Sequence, residues 1–246
     1  GNFPDHQITL LETFAAQGAI AIQNSRLFGE LRGRDEELSQ SLEFQAATAE
    51  ILRLIRNSPA HLQTVFDAIL ECSTRLCGAK LGTLGLFDGE VFKYVAQRGG
   101  DPEFIARVVG RPIVPVPDSN LWRNVIDGQL VHVPDLALQR SQFRPPGSRH
   151  TFVDYGVRTL LSIPLLRNGK AIGTLVAYRM EVAPFTQKQI HVMTAFASQA
   201  VIAIGNARLF RDLQTRNAEV SEALGRQTAT AEMLDVINSS PTDLQP

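Results

Sequence analysis

The chain has 246 residues, 44% of them hydrophobic, with 24 lysine and arginine residues against 25 aspartate and glutamate residues and a formal net charge of −1. That length suits one large domain or one medium domain with appendages, and the apolar content is ample for a core. Near-neutral charge excludes the electrostatic footprint of a nucleic-acid binder, and no uninterrupted apolar run approaches the roughly 18 residues that span a bilayer. A cytoplasmic chain without membrane insertion is therefore expected.

From Asp5 to about Asn57 the pattern is helical and free of proline. Ile8, Leu11, Phe14, Ala15 and Ile22 form a broad stripe suited to packing on a sheet. Beyond Arg26 the stripe narrows to seven-residue spacing, with Leu31, Leu38, Gln45 and Leu52 in one row and Leu27, Arg34, Ser41, Thr48 and Ile55 in the other. That is a coiled-coil register over about four heptads.

The same passage is written twice. Phe3–Gln63 aligns without a gap on Phe185–Gln245, and 29 of the 61 pairs are identical; FAAQGAIAIQNSRLF lies over FASQAVIAIGNARLF. The second copy carries Leu213, Val220, Gln227 and Leu234, with Leu209, Arg216, Ala223, Thr230 and Ile237. A period of 182 residues is far longer than a solenoid repeat and matches a whole domain plus a connector. Both copies place arginine (Arg34, Arg216), glutamine (Gln45, Gln227) and threonine (Thr48, Thr230) on the seam. Polar seam residues weaken a coil while fixing its register and partner number. A signalling helix balanced between two packings is the expectation.

Ser58 is expected to cap the next helix, with Pro59 at its first position and Gly78 as its stop. KLGTLGLF and VFKYVAQ flank Asp88-Gly89, a strong hairpin signal because both residues tolerate positive φ. A short helix follows over Asp101–Gly110. The proline-rich IVPVP is extended but unsuited to a central strand. Ser119 can cap a helix running to about Asp127, and QLVHV reads as a strand leading into a polar loop of about twenty residues that reaches Asp154. RTLLSIPLL and KAIGTLVAYRM flank Asn168-Gly169, the second hairpin, and the helix Thr186–Phe210 reopens the repeat. Consecutive strands joined by tight turns predict an α+β domain, an antiparallel sheet with helices packed on it.

These segments resemble a GAF domain. The likeness rests on SPAHLQTVFDAILECSTRLCGA, the Asp88-Gly89 hairpin, LWRNVIDGQLVHVPDL, and VRTLLSIPLLRNGKAIGTLVAYRM leading into FTQKQIHVMTAFASQAVIAIGNARLF. It covers roughly Ser58 to Phe210. The flanking RLF and TAEILRLI segments resemble the connectors between GAF repeats in bacterial sensor histidine kinases and nucleotide cyclases. The resemblance implies a helix bundle on one sheet face, a ligand cavity under loops on the other, and a parallel homodimer joined through the terminal helices. It does not imply catalysis. GAF-fold modules bind cyclic nucleotides, bilins, haem or small metabolites, or only dimerise.

The expected division is therefore 1–28 as the terminal helix of a preceding unit, 29–57 as a coiled-coil connector, 58–210 as the GAF domain, and 211–246 as connector and start of the next unit. The stripe of Ile8, Leu11 and Phe14 would then lack its own sheet and pair with its symmetry mate in the dimer.

Chemistry finds little purchase. No phosphate-binding glycine loop, HExxH, GxSxG or kinase signature is present, so no enzyme activity is expected and any kinase or cyclase would lie in other domains. No metal site is expected. Of the five histidines, His6, His61 and His191 align in the repeat with Lys188, Asp243 and Thr9, which suits surface positions rather than ligands. His150 in the long loop is the one conceivable haem ligand, and Cys72 and Cys77 fall on a helix rather than in cavity loops, so neither haem nor bilin is expected and the cofactor is unknown. The cyclic-nucleotide signature of the family is not recognisable, and its sulfoxide reductases need loop cysteines that are missing here. A small-molecule pocket, mostly apolar with a few orienting groups, would draw on Phe87, Trp122, His132, Tyr155, Arg158 and Ser162. Arg158 could meet an anionic ligand or pair with Asp154 or another carboxylate.

Overall fold

The computed structural model describes residues 4–57, 61–100, 102–139 and 151–239. Two helices of 53 residues each, α1 (Asp5–Asn57) and α7 (Gln187–Ser239), frame the remaining elements, and their bounds are offset by 182 residues at both ends. The repeat is thus drawn twice as the same uninterrupted helix. Between them lie α2 (Leu62–Leu76), β1 (Leu81–Phe87), β2 (Phe92–Arg98), α3 (Pro102–Val108), α4 (Asn120–Val125), β3 (Val131–Val133), α5 (Leu136–Gln139), α6 (Thr151–Asp154), β4 (Thr159–Arg167) and β5 (Lys170–Arg179).

The chain divides into two compact units, Gly1–Ala49 and Glu50–Pro246. Among the described residues the first is helical from Asp5 onward. Its apolar side chains Ile20, Ile22, Leu27, Phe28, Leu31, Leu38 and Leu42 are all exposed. The second unit holds an antiparallel five-stranded sheet in the order β2-β1-β5-β4-β3. Both hairpins form where the turn dipeptides place them. Gly89 has a φ of 112°, and Asn168 and Gly169 sit at 52° and 76°, the double positive φ that matches the twist of paired strands.

Ser119 caps α4 by accepting the Trp122 N–H at 3.0 Å. Thr186 and Gln189 close a reciprocal capping box at the start of α7, each side chain accepting the other's backbone N–H. Helix α2 begins at Leu62, with His61 at the cap position making no side-chain hydrogen bond. The expected cap at Ser58-Pro59 and the loop around His150 lie outside the described residues, as do the side chains of Ile8, Leu11, Phe14 and Ile237. The proline-rich segment pairs only at Ile113, which exchanges two backbone hydrogen bonds with Phe92 at the sheet edge.

Helices α2 and α7 cover one face of the sheet. Leu70 and Thr74 press on Gly82, where a β-carbon would overlap the Thr74 methyl, so glycine sets the close approach of α2 to β1. On α7, Met193, Phe196, Ala197, Ala200, Ala203 and Ala207 are buried. The helix is also long and apolar enough, by length and composition alone, to cross a membrane. The buried methionine, phenylalanine and alanines show that the same apolarity serves the sheet.

Candidate functional site

Residues paired across an antiparallel ladder project to the same face. The rows Thr83–Val176–Ser162–Val131 and Leu81–Tyr178–Leu160–Val133 therefore share one face, opposite the Gly82 contact with α2. This is the loop side, under α4, α5 and α6, where a ligand cavity was expected.

Aromatic side chains cluster on it. Phe92 and Tyr94 meet edge to face at 4.8 Å, Tyr94 meets Phe152 at 6.1 Å, and Phe152 stacks on Tyr178 at 4.8 Å. Gly85 makes room for this arrangement, since a β-carbon there would overlap the Phe92 ring. The polar ends are satisfied internally. The Tyr178 hydroxyl lies 3.0 Å from Thr83 Oγ1 and also bonds Tyr94. Burial pushes the Tyr94 hydroxyl up to about 12 and that of Tyr178 well above its ordinary value, so both stay neutral. A second buried pair, Ser162 Oγ and Thr174 Oγ1, sits 2.7 Å apart. Asn124 of α4 ties the loop layer down, donating to the Ser162 and Gln129 carbonyls at 3.1 and 3.0 Å.

Of the six residues expected to line a pocket, three come to this face. Phe87 and Tyr155 pack against the Phe92, Tyr94 and Val125 cluster, and Ser162 lies on the sheet beneath. Trp122 is half-buried, and its neighbours Leu121 and Val125 take the packing role. Arg158 forms a two-point ion pair with Asp135, Nε to Oδ1 at 2.9 Å and Nη2 to Oδ2 at 2.7 Å. That pair holds the Asp135 carboxyl below its ordinary range and anchors the turn into α5, where Oδ1 also accepts the Ala137 N–H.

His132 projects to the opposite face, because it pairs with Leu161 and through it with Ala177 and Gly82. Its Nε2 accepts the Phe185 N–H at 3.0 Å, just before α7. Arg179 completes this junction. It donates to the Cys77 carbonyl at 2.6 Å and the Ala183 carbonyl at 2.7 Å, and its guanidinium stacks 4.2 Å over the Phe185 ring. Gln189 of α7 reaches the same Cys77 carbonyl at 3.0 Å. The end of α2, the end of β5 and the start of α7 are thereby clamped together.

Burial, with Arg179 second, holds the His132 imidazole below its ordinary value near 6.5. The folded state then prefers the neutral ring, and the unfolded chain takes up the proton first. Stability is expected to be full above about pH 6.5 and to fall as pH drops through that value toward the folded-state value. Urea midpoints between pH 7.5 and 5 should show the loss, and His132→Leu, though less stable throughout, should flatten it.

Sequence reasoning overlooked Phe92, Tyr94, Tyr178 and Arg179. The strand alternation Phe92, Tyr94 and Val176, Tyr178 was the available signal for the first three. Cys72 and Cys77 are both buried, and burial pushes the Cys77 thiol up to about 12, so neither is an activated nucleophile. Among the described residues no group of three histidine, cysteine, aspartate or glutamate side chains is gathered.

An antiparallel sheet with α2 and α7 on one face and an aromatic layer under short helices on the other defines a small α+β module. The GAF domain pattern matches residues 61–204, more than half of the chain, and the chain belongs to the GAF family. No curated protein sequence matches significantly. Solved structures share the fold. The GAF domain of an Acinetobacter phosphoenolpyruvate-protein phosphotransferase superposes with a TM-score of 0.54 at 16% identity, covering 67% of this chain and 94% of its own. The corresponding domain from Coxiella burnetii gives 0.55 at 15% identity, covering 70% and 98%. Residues 122 to 287 of a methyl-accepting chemotaxis protein give 0.55 at 17% identity, covering 67% and 99%.

Proposed function

We propose that this chain is a non-catalytic regulatory GAF module that forms a parallel homodimer and passes a signal along its terminal helices to an output domain elsewhere. One observation carries the reading. Most of the seam positions expected on the two connectors stand outward, with Leu31, Leu38, Leu52, Leu213, Val220 and Leu234 between 45% and 61% exposed, whereas Ile55, at the end of the first connector, is buried in the domain. Arg34, Gln45, Arg216 and Gln227 are exposed beside them. Rows of apolar side chains left in water at seven-residue spacing are stabilised by a partner helix.

The repeat supports a place in an array, with 1–28, 29–57, 58–210 and 211–246 as successive parts. Ile51 is fully buried where α1 enters the domain, whereas its counterpart Met233 is 70% exposed. A following unit would cover Met233 as this unit covers Ile51. The chemotaxis-protein relative fits a signalling role for the fold.

The input is a small ligand or a neighbouring domain, and the aromatic layer on the loop side supports a second reading, a dimerising spacer with no ligand. Light scattering across dilution tests the dimer, and a monomer at all concentrations would defeat the relay. A thermal-shift panel of metabolites tests the ligand-free spacer, because any bound ligand raises apparent stability by mass action and a shift would defeat that reading.

A further inference from the structure

A groove of about 740 Å³ opens on the helix-covered side, between the first hairpin and the point where α7 leaves the sheet. Its apolar floor is half-buried and comprises Leu86, Val91, Val95, Ile172 and Ile204, and Phe87, whose side chain packs with the aromatic layer, borders it at the hairpin end. Four cations rim it, Lys93 on β2, Arg167 at the end of β4, and Arg208 and Arg211 on α7, against two carboxylates, Asp88 and Asp212. Asp88 is already engaged, since its Oδ1 accepts the Glu90 and Val91 N–H groups and closes the hairpin. Among the described residues, Arg167, Arg208 and Arg211 form no ion pair. Arginine side chains gathered over an apolar floor match an anion attached to an apolar body.

Helical geometry says what does not cover this groove. At 3.6 residues per turn, Ile204, Arg208 and Arg211 lie on the side of α7 turned away from Leu209, Leu213 and Arg216. A coiled-coil partner on that seam leaves the groove open. The volume is within the usual range for a small-molecule site, about 300–1,000 Å³.

We infer that this groove binds a small amphiphilic anion, an apolar body bearing one carboxylate, sulfonate or phosphate group. The site is separate from the aromatic layer on the opposite face. It stands whether or not the helices relay a signal, but its position gives such a ligand leverage. Contacts to Lys93 and Arg167 on the sheet side and to Arg208 and Arg211 on the helix side would pin the base of the connector to the domain.

Fluorescence titration of the intact chain with 8-anilinonaphthalene-1-sulfonate, and with its neutral analogue N-phenyl-1-naphthylamine, tests the assignment. Saturable sulfonate binding is expected. It should weaken at least about tenfold in Arg208→Glu/Arg211→Glu and in Lys93→Glu/Arg167→Glu, a loss of about 1.4 kcal/mol, while Arg123→Glu on the far face leaves it unchanged. The neutral probe should not distinguish the variants. Circular dichroism confirms folding, and the milder Arg208→Gln/Arg211→Gln pair should show the same direction. Unchanged sulfonate affinity in both reversal pairs, an equal loss in Arg123→Glu, or binding that vanishes as the chain dimerises would each overturn the site. Light scattering on the same samples reports dimer formation independently, so failure of the groove and failure of the relay are told apart.

Discussion

Replacing Phe92 with alanine is expected to remove about 3–5 kcal/mol from the unfolding free energy, the range for deleting a buried aromatic side chain. Phe92 is fully buried, lies over Gly85, and holds Tyr94 through an edge-to-face contact at 4.8 Å. Its loss takes the central ring from the aromatic layer on the loop side. Equilibrium urea denaturation measures the cost. Two companion substitutions show whether the ring itself is responsible. Gly85→Ala directs a methyl into the Phe92 ring and should cost about 1–3 kcal/mol alone, but much less when Phe92 is already alanine. Gly173→Ala directs its methyl at the Gly85 carbonyl oxygen instead, so Phe92→Ala should give it no relief. The vacated space should also behave as a dry apolar cavity, and benzene should raise the melting temperature of Phe92→Ala but not of the parent. If all three substitutions simply add, the aromatic layer is not the close-packed unit described.

That layer marks the boundary of what sequence reading could reach. Both hairpins were legible because Asp88-Gly89 and Asn168-Gly169 encode their turns locally. The long helices were legible because the chain states them twice. The aromatic layer on the loop side was not, because it depends on register. Gly85 faces Tyr94 only through a bulge that shifts the pairing between Leu84 and Gly85, and no local signal marks that shift. His132 shows the same limit more simply. Alternation in VHV puts it opposite Val131 and Val133, but which face carries the helices is decided by Gly82, fifty residues earlier, where only the lack of a side chain lets α2 approach. Arg158 was read as a possible ligand group or an ion-pair partner. The structure pairs it with Asp135, 23 residues earlier in the chain, rather than with a residue close by in sequence.

The largest effect on function is expected from the seam. Arg34 and Arg216 occupy matching positions in the two copies, each flanked by outward apolar residues, Leu31 and Leu38 in one and Leu213 and Val220 in the other. In a parallel dimer each would face its own counterpart, placing like charges together where a heptad calls for an apolar residue. Such a layer holds a two-stranded coil near the margin of stability and leaves a second helix rotation close in energy. Leucine at both positions replaces repulsion by burial, about 1.5–3 kcal/mol for each side chain fully removed from water. The dimer dissociation constant of Arg34→Leu/Arg216→Leu should fall by at least about a hundredfold, read by sedimentation over a dilution series. Thr215→Leu, one residue outside the seam, adds the same hydrophobe without the geometry and should leave the constant unchanged. A ligand or neighbouring domain can shift a two-state helix only by its differential affinity for the states. Deepening one state by several kcal/mol should therefore hold the full-length protein in a single output level. Normal switching by a tighter dimer would show that the arginine layers are not the hinge of the relay.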